Sequence, residues 1–103
     1  MTAIAREFDV MRADIARFAL SESEINRLGY FFLSRGAPSR AADIFALNVR
    51  AFPRSANVYD SLGEAQLARG DTALAIASYR KSLDLDPANT NASNILSRIA
   101  RKP

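Results

Sequence analysis

Two short patterns in this sequence contain residue types that can do chemistry. Ser78 and Lys81 form the Ser-x-x-Lys spacing that some acylating enzymes use for a serine nucleophile, but the Ser-Asp-Asn and Lys-Thr-Gly segments that accompany it there are absent from the chain. Asp84 and Asp86 bring two carboxylates close together, but further oxygen ligands for a calcium ion are missing nearby. Asp86 directly precedes Pro87 and is predicted to cap a helix. These patterns therefore predict no catalytic residue and no metal site.

The composition excludes further classes of chemistry. The chain has 103 residues with no histidine and no cysteine, which removes zinc fingers, haem ligation, disulfides and every Ser-His or Cys-His catalytic arrangement. The glycines occur singly, so no phosphate-binding loop is predicted. The sequence therefore predicts a protein that is not an enzyme and that binds no cofactor.

The net charge of +3 comes from basic residues that are spread along the chain. Lys81 and Lys102 are the only lysines, so the sequence pI of about 9.8 reflects a small excess of arginine. The arginines alternate with acidic residues, and the one tight basic group is Arg98, Arg101 and Lys102. Nucleic-acid binding needs clustered positive charge. Nucleic acid is therefore disfavoured as a partner.

The same sequence shows no export or membrane signal. The first ten residues include acids where a signal peptide needs an apolar run. No segment approaches the ~18 continuous apolar residues of a membrane span. A cytoplasmic protein without membrane partners is expected.

An internal repeat organises the middle of the chain. An offset of 34, called here the repeat period, brings residues 22–55 into register with residues 56–89, and the two segments share seven identities and one aromatic pair, Phe45 with Tyr79. The identical pairs are Leu28/Leu62, Gly29/Gly63, Leu33/Leu67, Arg35/Arg69, Gly36/Gly70, Ala41/Ala75 and Pro53/Pro87. A doubled pattern in one register is far more specific than a single motif, and it predicts two copies of one helix-turn-helix unit.

The repeated small residues predict how two helices pack within each unit. Gly29 and Gly63 fall inside helices, where glycine costs about 1 kcal/mol relative to alanine, so we expect them to permit close helix–helix approach. Ala41 and Ala75 are expected to do the same on the second helix of each unit. Other residues mark the ends of helices. They are Gly36 and Gly70 as left-handed ends, Pro53 and Pro87 between units, and Ser21 with Glu24, Ser55, Asp71 and Asp86 as N-terminal caps.

Helices are also predicted on both sides of the repeat. Residues 2–19 carry an apolar stripe at steps of three and four, typical of one face of a helix. Its members are Ile4, Phe8, Met11, Ile15 and Phe18. We interpret 1–20 as an N-terminal cap helix, 22–55 and 56–89 as the two repeats, and 90–101 as a polar C-terminal capping helix. The predicted fold is one all-α domain over 1–103, a right-handed helix-turn-helix solenoid of about six helices.

The repeat resembles the tetratricopeptide repeat, whose pattern reads Trp-x2-Leu-Gly-x2-Tyr, then Ala-x3-Phe, then Pro. The second unit reads Tyr59-x2-Leu62-Gly63-x2-Gln66, Ala75-x3-Tyr79, Pro87, and the first reads Ile25-x2-Leu28-Gly29-x2-Phe32, Ala41-x3-Phe45, Pro53. This resemblance implies a scaffold that holds a peptide or partner helix in a concave groove. The runs from Ile25 to Tyr30 and from Phe45 to Ala65 are also similar to helical tails that follow some bacterial serine-hydrolase domains, which implies kinship of the repeat only.

Rows of equivalent positions predict a binding groove. The first helix of each unit is expected to line it, and the repeat period aligns the rows Ser23/Asn57/Asn91, Asn26/Asp60/Asn94 and Tyr30/Glu64/Arg98. Asparagine amides donate and accept, so they can pair with an extended peptide backbone, and arginine can bind a carboxylate. The predicted groove residues are Asn26, Tyr30, Asn57, Asp60, Glu64, Asn91, Asn94 and Arg98. The alternative is that these side chains are simply the solvent-exposed side of the helices.

Three hypotheses for function follow from the sequence. The first is a non-enzymatic module that binds a partner protein or peptide in the groove. The second is self-association, in which the apolar stripe of residues 2–19 docks on another copy. The third is an accessory domain related to the tail of a serine hydrolase.

Overall fold

The computed structural model describes residues 20–101, and these residues form five α-helices without a strand. The helices are α1 (Glu22–Ser34), α2 (Pro38–Ala51), α3 (Ala56–Arg69), α4 (Thr72–Leu85) and α5 (Thr90–Arg101). Each helix packs against the next in the chain, and α1 also contacts α3. Helices α1, α3 and α5 start one repeat period apart, as do α2 and α4. The predicted all-α helical-repeat fold is therefore confirmed, while the predicted N-terminal cap helix lies outside the described residues.

In each helix pair, a glycine on the first helix packs against an aromatic ring on the second helix. Gly29 of α1 lies so near the ring of Phe45 on α2 that a Cβ atom would overlap the ring. A Cβ atom at Gly63 of α3 would lie 2.9 Å from Cε2 of Tyr79 on α4. Both rings are fully buried. The close approach predicted from these glycines is confirmed, and the burial of the aromatic rings offsets the low helix propensity of glycine.

The helix ends follow the predicted residues at most positions. Gly36 and Gly70 adopt φ of 74° and 93°, in the left-handed region where a side chain is strained. Ser21 and Glu24 form the predicted capping box, because each backbone N–H donates to the side chain of the other residue. Helices α3 and α4 begin directly after Ser55 and Asp71, where neither side chain makes a capping hydrogen bond.

The helix start predicted at Asp86 is wrong. Helix α4 ends at Leu85, and Asp86 lies in a turn where its Oδ1 accepts a hydrogen bond of 3.1 Å from the backbone N–H of Ala88. The actual N-cap of α5 is Asn89, whose Oδ1 accepts from the N–H of Ala92 at 3.2 Å. An aspartate before proline is equally suited to this kind of turn, so the dipeptide alone does not distinguish a turn from a cap.

Buried polar side chains tie the second helix of each unit to the start of the first. Asn48 Nδ2 on α2 donates to the carbonyl of Glu22 at 3.0 Å. Ser82 Oγ on α4, one repeat period later, donates to the carbonyl of Ala56 at 2.8 Å. Both side chains are fully buried. The two units thus share this internal contact while differing in the residue that makes it.

Candidate partner-binding surface

The predicted groove positions on α1 and α3 are joined by a hydrogen bond between Tyr30 and Glu64. The Tyr30 hydroxyl donates to Glu64 Oε2 at 2.5 Å, and Ser61 Oγ lies 3.4 Å from the same hydroxyl. The Tyr30 ring packs edge-on against Phe45, with ring centres 5.1 Å apart. Tyr30 is therefore held between the two helix pairs and does not stand as a free aromatic surface.

Two tyrosines near this surface have raised pKa values. Burial raises the pKa of Tyr30 to about 12, and the hydrogen bond to the Glu64 carboxylate adds to the rise. Burial likewise raises the pKa of Tyr79, and the nearby Asp60 carboxylate contributes. Both hydroxyls therefore keep their protons at neutral pH, and Tyr30 acts as a hydrogen-bond donor.

A second contact between α1 and α3 involves Asn26. Its Oδ1 accepts a hydrogen bond of 2.6 Å from Ser61 Oγ. Ser61 is buried, whereas Asn26 is half-buried at the surface. The bond fixes the orientation of the Asn26 amide, because its oxygen faces the interior of the helix pair and its NH₂ group is the remaining donor.

Asp60 joins α3 to the C-terminal helix. Its Oδ1 accepts from Asn91 Nδ2 and its Oδ2 accepts from Asn89 Nδ2, each at 2.9 Å. The Asn89 amide also donates to Ser82 Oγ at 2.8 Å, which links the carboxylate to the buried contact of α4. Both oxygens of Asp60 are thus engaged within the protein, and this residue positions α5 beside α3.

Five of the predicted residues are exposed, and three of these five have no hydrogen-bond or ion-pair partner in the described part of the chain. Asn57, Asn94 and Arg98 make no hydrogen bond or ion pair with another residue of the described part of the chain. Glu64 is also exposed while it holds the Tyr30 hydroxyl. The eight predicted residues therefore fall into two groups, five that join helices through hydrogen bonds and three that are exposed without such a bond.

The serine and lysine of the Ser-x-x-Lys pattern both lie on α4. Ser78 is buried, and its hydroxyl donates to Gln66 Oε1 at 2.6 Å, while Lys81 is exposed. This serine therefore contributes to packing between α3 and α4.

Over residues 20–101, no cluster of acidic, histidine or cysteine side chains is arranged to hold a metal ion. None of the helices in that range has the length and apolar character needed to cross a lipid bilayer.

The sequence pattern did not predict all of the residues that build this surface. Ser61 and Asn89 connect the helices but were not among the predicted residues. Ser55 was also missed as a contact, although it donates to Glu22 Oε1 at 2.6 Å. A usable signal exists for two of them, because Ser55 and Asn89 are one repeat period apart and both carry short polar side chains before a helix.

The paired helices at this period, with a glycine against an aromatic ring in each pair, form an all-α helix-turn-helix repeat that is consistent with a tetratricopeptide solenoid. Similarity to curated proteins agrees with this class. The chain is 38% identical over 64 residues to Superkiller complex protein 3 of Mus musculus, and 38% over 61 residues to the protein of that name from Homo sapiens. It is 36% identical over 61 residues to Tetratricopeptide repeat protein 37 of Xenopus laevis.

These alignments cover about 60% of the chain but only 4% of the length of each relative. No protein-family model matches the chain. The relatives support a tetratricopeptide-like family and suggest a helical-repeat module for protein interaction. The similarity to hydrolase tails stays a prediction.

Proposed function

We propose that this protein is a non-enzymatic interaction module that binds a peptide or helix of a partner protein on the face formed by α1, α3 and α5. One observation carries the proposal: hydrogen bonds connect neighbouring first helices at groove positions. Tyr30 bonds to Glu64, and Asn91 bonds to Asp60. These bonds support one continuous polar surface across three helices.

The two groups of polar residues together favour binding on this face. Asn26, Tyr30 and Asp60 are held by internal hydrogen bonds, so the surface keeps its shape when a partner arrives. Preorganisation of this kind lowers the entropic cost of binding. Asn57 and Asn94 then offer amides that both donate to and accept from a peptide backbone. Arg98 adds a fork for a carboxylate at the α5 end.

The charge on the face further limits the partner. Asp60 and Glu64 place carboxylates on α3, and Arg98 places a positive charge on α5. A uniformly acidic segment would meet repulsion at α3, so the partner segment is expected to be neutral or of mixed charge there. Its acidic group, where it has one, is expected to lie near Arg98.

The proposal is tested by selecting binders from a random peptide library against the full chain. The test variant carries Asn57→Ala, Asn94→Ala and Arg98→Ala, which remove exposed groups without breaking a hydrogen bond between described residues. The matched control carries Arg50→Ala, Lys81→Ala and Asp84→Ala, which are exposed on α2 and α4. Asp60 is left intact because its loss would also disturb α5.

We expect selected peptides to bind the unmodified chain and the control with the same Kd. Binding to the test variant should weaken at least about tenfold, equivalent to ~1.4 kcal/mol. Peptides that bind the test variant as tightly as the control would place the binding surface elsewhere. Equal loss in both variants would also contradict the proposal.

A further inference from the structure

The hydroxyl group of Tyr79 on α4 has no hydrogen-bond partner in the part of the chain that the structure describes. The ring below it is held tightly, because Tyr79 is only 1% exposed and its Cζ atom would lie 3.0 Å from a Cβ atom at Gly63. Within residues 20–101 the hydroxyl neither donates nor accepts a hydrogen bond. Polar groups of buried residues are nearly always hydrogen-bonded, so this donor calls for an acceptor.

The oxygen of Tyr79 reaches the surface of the protein. Among the side chains of the described residues, Asn48 Oδ1 is the one enclosed polar atom that lacks a hydrogen-bond partner. The Tyr79 oxygen also lacks a partner, so it is not enclosed in the same way, and the small exposed part of the residue includes it. The hydroxyl is therefore a donor that opens from the core towards solvent.

The hydroxyl opens on the face that is proposed to bind a partner. Gly63, which the ring covers, lies on α3 between Asp60 and Glu64 in the sequence. Burial raises the pKa of the Tyr79 hydroxyl, the carboxylates of Asp60 and Glu64 raise it further, and the charge of Arg98 on α5 lowers it. The charged neighbours of the hydroxyl are thus predicted groove residues of α3 and α5.

The first unit uses its tyrosine hydroxyl differently. Phe45, one repeat period before Tyr79, has no hydroxyl, and the ring of Tyr30 packs edge-on against it. The Tyr30 hydroxyl has an acceptor within the protein, because it donates to Glu64. In the second unit Glu64 occupies the position of Tyr30, and Tyr79 supplies the hydroxyl instead. The hydroxyl of the first unit therefore joins two helices, while that of the second unit is left for an external acceptor.

The charges around the Tyr79 hydroxyl favour a neutral acceptor. Two carboxylates, those of Asp60 and Glu64, act on it together with one guanidinium, that of Arg98. A carboxylate ligand would meet net repulsion at this point, whereas a backbone carbonyl is a strong acceptor without a charge. Because the buried ring already fixes the hydroxyl, little side-chain freedom is lost when it binds.

We propose that the Tyr79 hydroxyl donates a hydrogen bond to a backbone carbonyl of the partner segment where that segment crosses from α3 to α5. The inference rests on the proposed function, because it assigns one specific contact within the same face. Every peptide has backbone carbonyls, so this bond sets the position of the segment on the face. The sequence preference then comes from the exposed groups of Asn57, Asn94 and Arg98.

Replacing Tyr79 with phenylalanine tests the assignment, since Phe45 shows that a phenylalanine ring fits against the glycine of a unit. Peptides selected against the full chain are titrated with Tyr79→Phe and with the control Tyr59→Phe. The control also loses a hydroxyl, one that donates to the carbonyl of Pro53. We expect Tyr79→Phe to raise the Kd about three- to tenfold, the range for one neutral hydrogen bond, and Tyr59→Phe to leave it unchanged. The urea midpoint of Tyr79→Phe without peptide should equal that of the unmodified chain.

A change in the peptide backbone identifies the acceptor. Replacing one amide of the peptide with an ester weakens the carbonyl of that linkage as a hydrogen-bond acceptor. At one position along the peptide, the ester should raise the Kd for the unmodified chain clearly more than the Kd for Tyr79→Phe, which is the signature of a direct contact in a double-mutant cycle. A complete ester scan without such a position would overturn the proposal.

The remaining outcomes separate this inference from the proposed function. Suppose that Tyr79→Phe binds as tightly as Tyr59→Phe while the variant with Asn57→Ala, Asn94→Ala and Arg98→Ala loses binding. The inference is then overturned and the proposed function stands. Unchanged binding by the triple variant would overturn both. A fall in the urea midpoint of Tyr79→Phe as large as that of Tyr30→Phe would assign the hydroxyl to the fold and overturn the inference alone.

Discussion

The hydroxyl of Tyr30 on α1 donates to the carboxylate of Glu64 on α3, and the two residues are one repeat period of 34 positions apart. Equivalent positions of two units are therefore in direct contact. In the first unit this position holds the donor, and in the second it holds the acceptor. A repeat that varies its side chains in this way joins its units by polar complementarity as well as by apolar packing.

Replacing Tyr30 with phenylalanine should remove this bond while leaving the packing against Phe45 intact. Hydrogen bonds to charged groups contribute about 1.5–3 kcal/mol, and partial exposure to solvent reduces this. We expect Tyr30→Phe to lower the free energy of unfolding by about 1 kcal/mol in urea at pH 7. The control is Tyr59→Phe, whose hydroxyl donates at an exposed site to the carbonyl of Pro53. A loss no larger than in this control would show that the bond contributes little.

The same tyrosine should make stability depend on pH in the alkaline range. Tyrosine in an unfolded chain has a pKa of about 10, and in the folded protein burial raises the pKa of Tyr30 to about 12. Between these values the unfolded chain loses the proton first, so stability that is fully present below pH 10 falls as the pH rises. The urea midpoint should therefore drop less in Tyr30→Phe than in the unmodified chain between pH 9 and pH 11. Parallel drops in the two proteins would contradict this.

Gly63 should tolerate no side chain, although alanine is the better helix former. A Cβ atom there would lie 2.9 Å from Tyr79 Cε2, and overpacking of this kind costs about 1–3 kcal/mol. We expect Gly63→Ala to destabilise the protein in thermal unfolding. Combining it with Tyr79→Leu should recover part of the cost relative to Tyr79→Leu alone, because the shortened side chain makes room. Independent, additive effects of the two changes would argue against the contact.

Asp60 should hold α5 in place. Asp60→Ala removes the acceptor of both Asn89 and Asn91, and hydrogen exchange should then speed up in α5 while the amides of α1 and α2 keep their protection. The comparison is with Asp84→Ala, an exposed carboxylate on α4 that makes no hydrogen bond to another described residue. Uniform loss of protection across all helices would show that Asp60 supports the whole fold instead.

The sequence predicted the parts of this molecule that depend on size and backbone conformation. Gly29, Gly63, Gly36 and Gly70 mark close contacts and left-handed ends that few other residues allow, so their spacing was sufficient. Polar contacts were harder to predict. Asp86 suits a turn and a cap equally well, and only the structure shows that Asn89 is the cap.

For the binding surface, too, the sequence predicted some features and not the full set of polar contacts. The repeat period placed Tyr30 next to Glu64 in one row, and the structure shows the two in contact. The period did not show that Asp60 would bond to Asn89 and Asn91, because those partners lie outside its row. A polar side chain forms an internal hydrogen bond only when it is long enough to contact a partner on a neighbouring helix. The repeat period along the chain carries no information about that distance.

Binding of a partner segment to the face of α1, α3 and α5 is the central claim. It is tested most directly by an NMR titration of the ¹⁵N-labelled full chain with a peptide selected against it. We predict that the largest shifts occur in the side-chain amides of Asn57 and Asn94 and in the Arg98 Nε resonance. Shifts confined instead to the outer sides of α2 and α4, around Arg50 and Lys81, would contradict the claim.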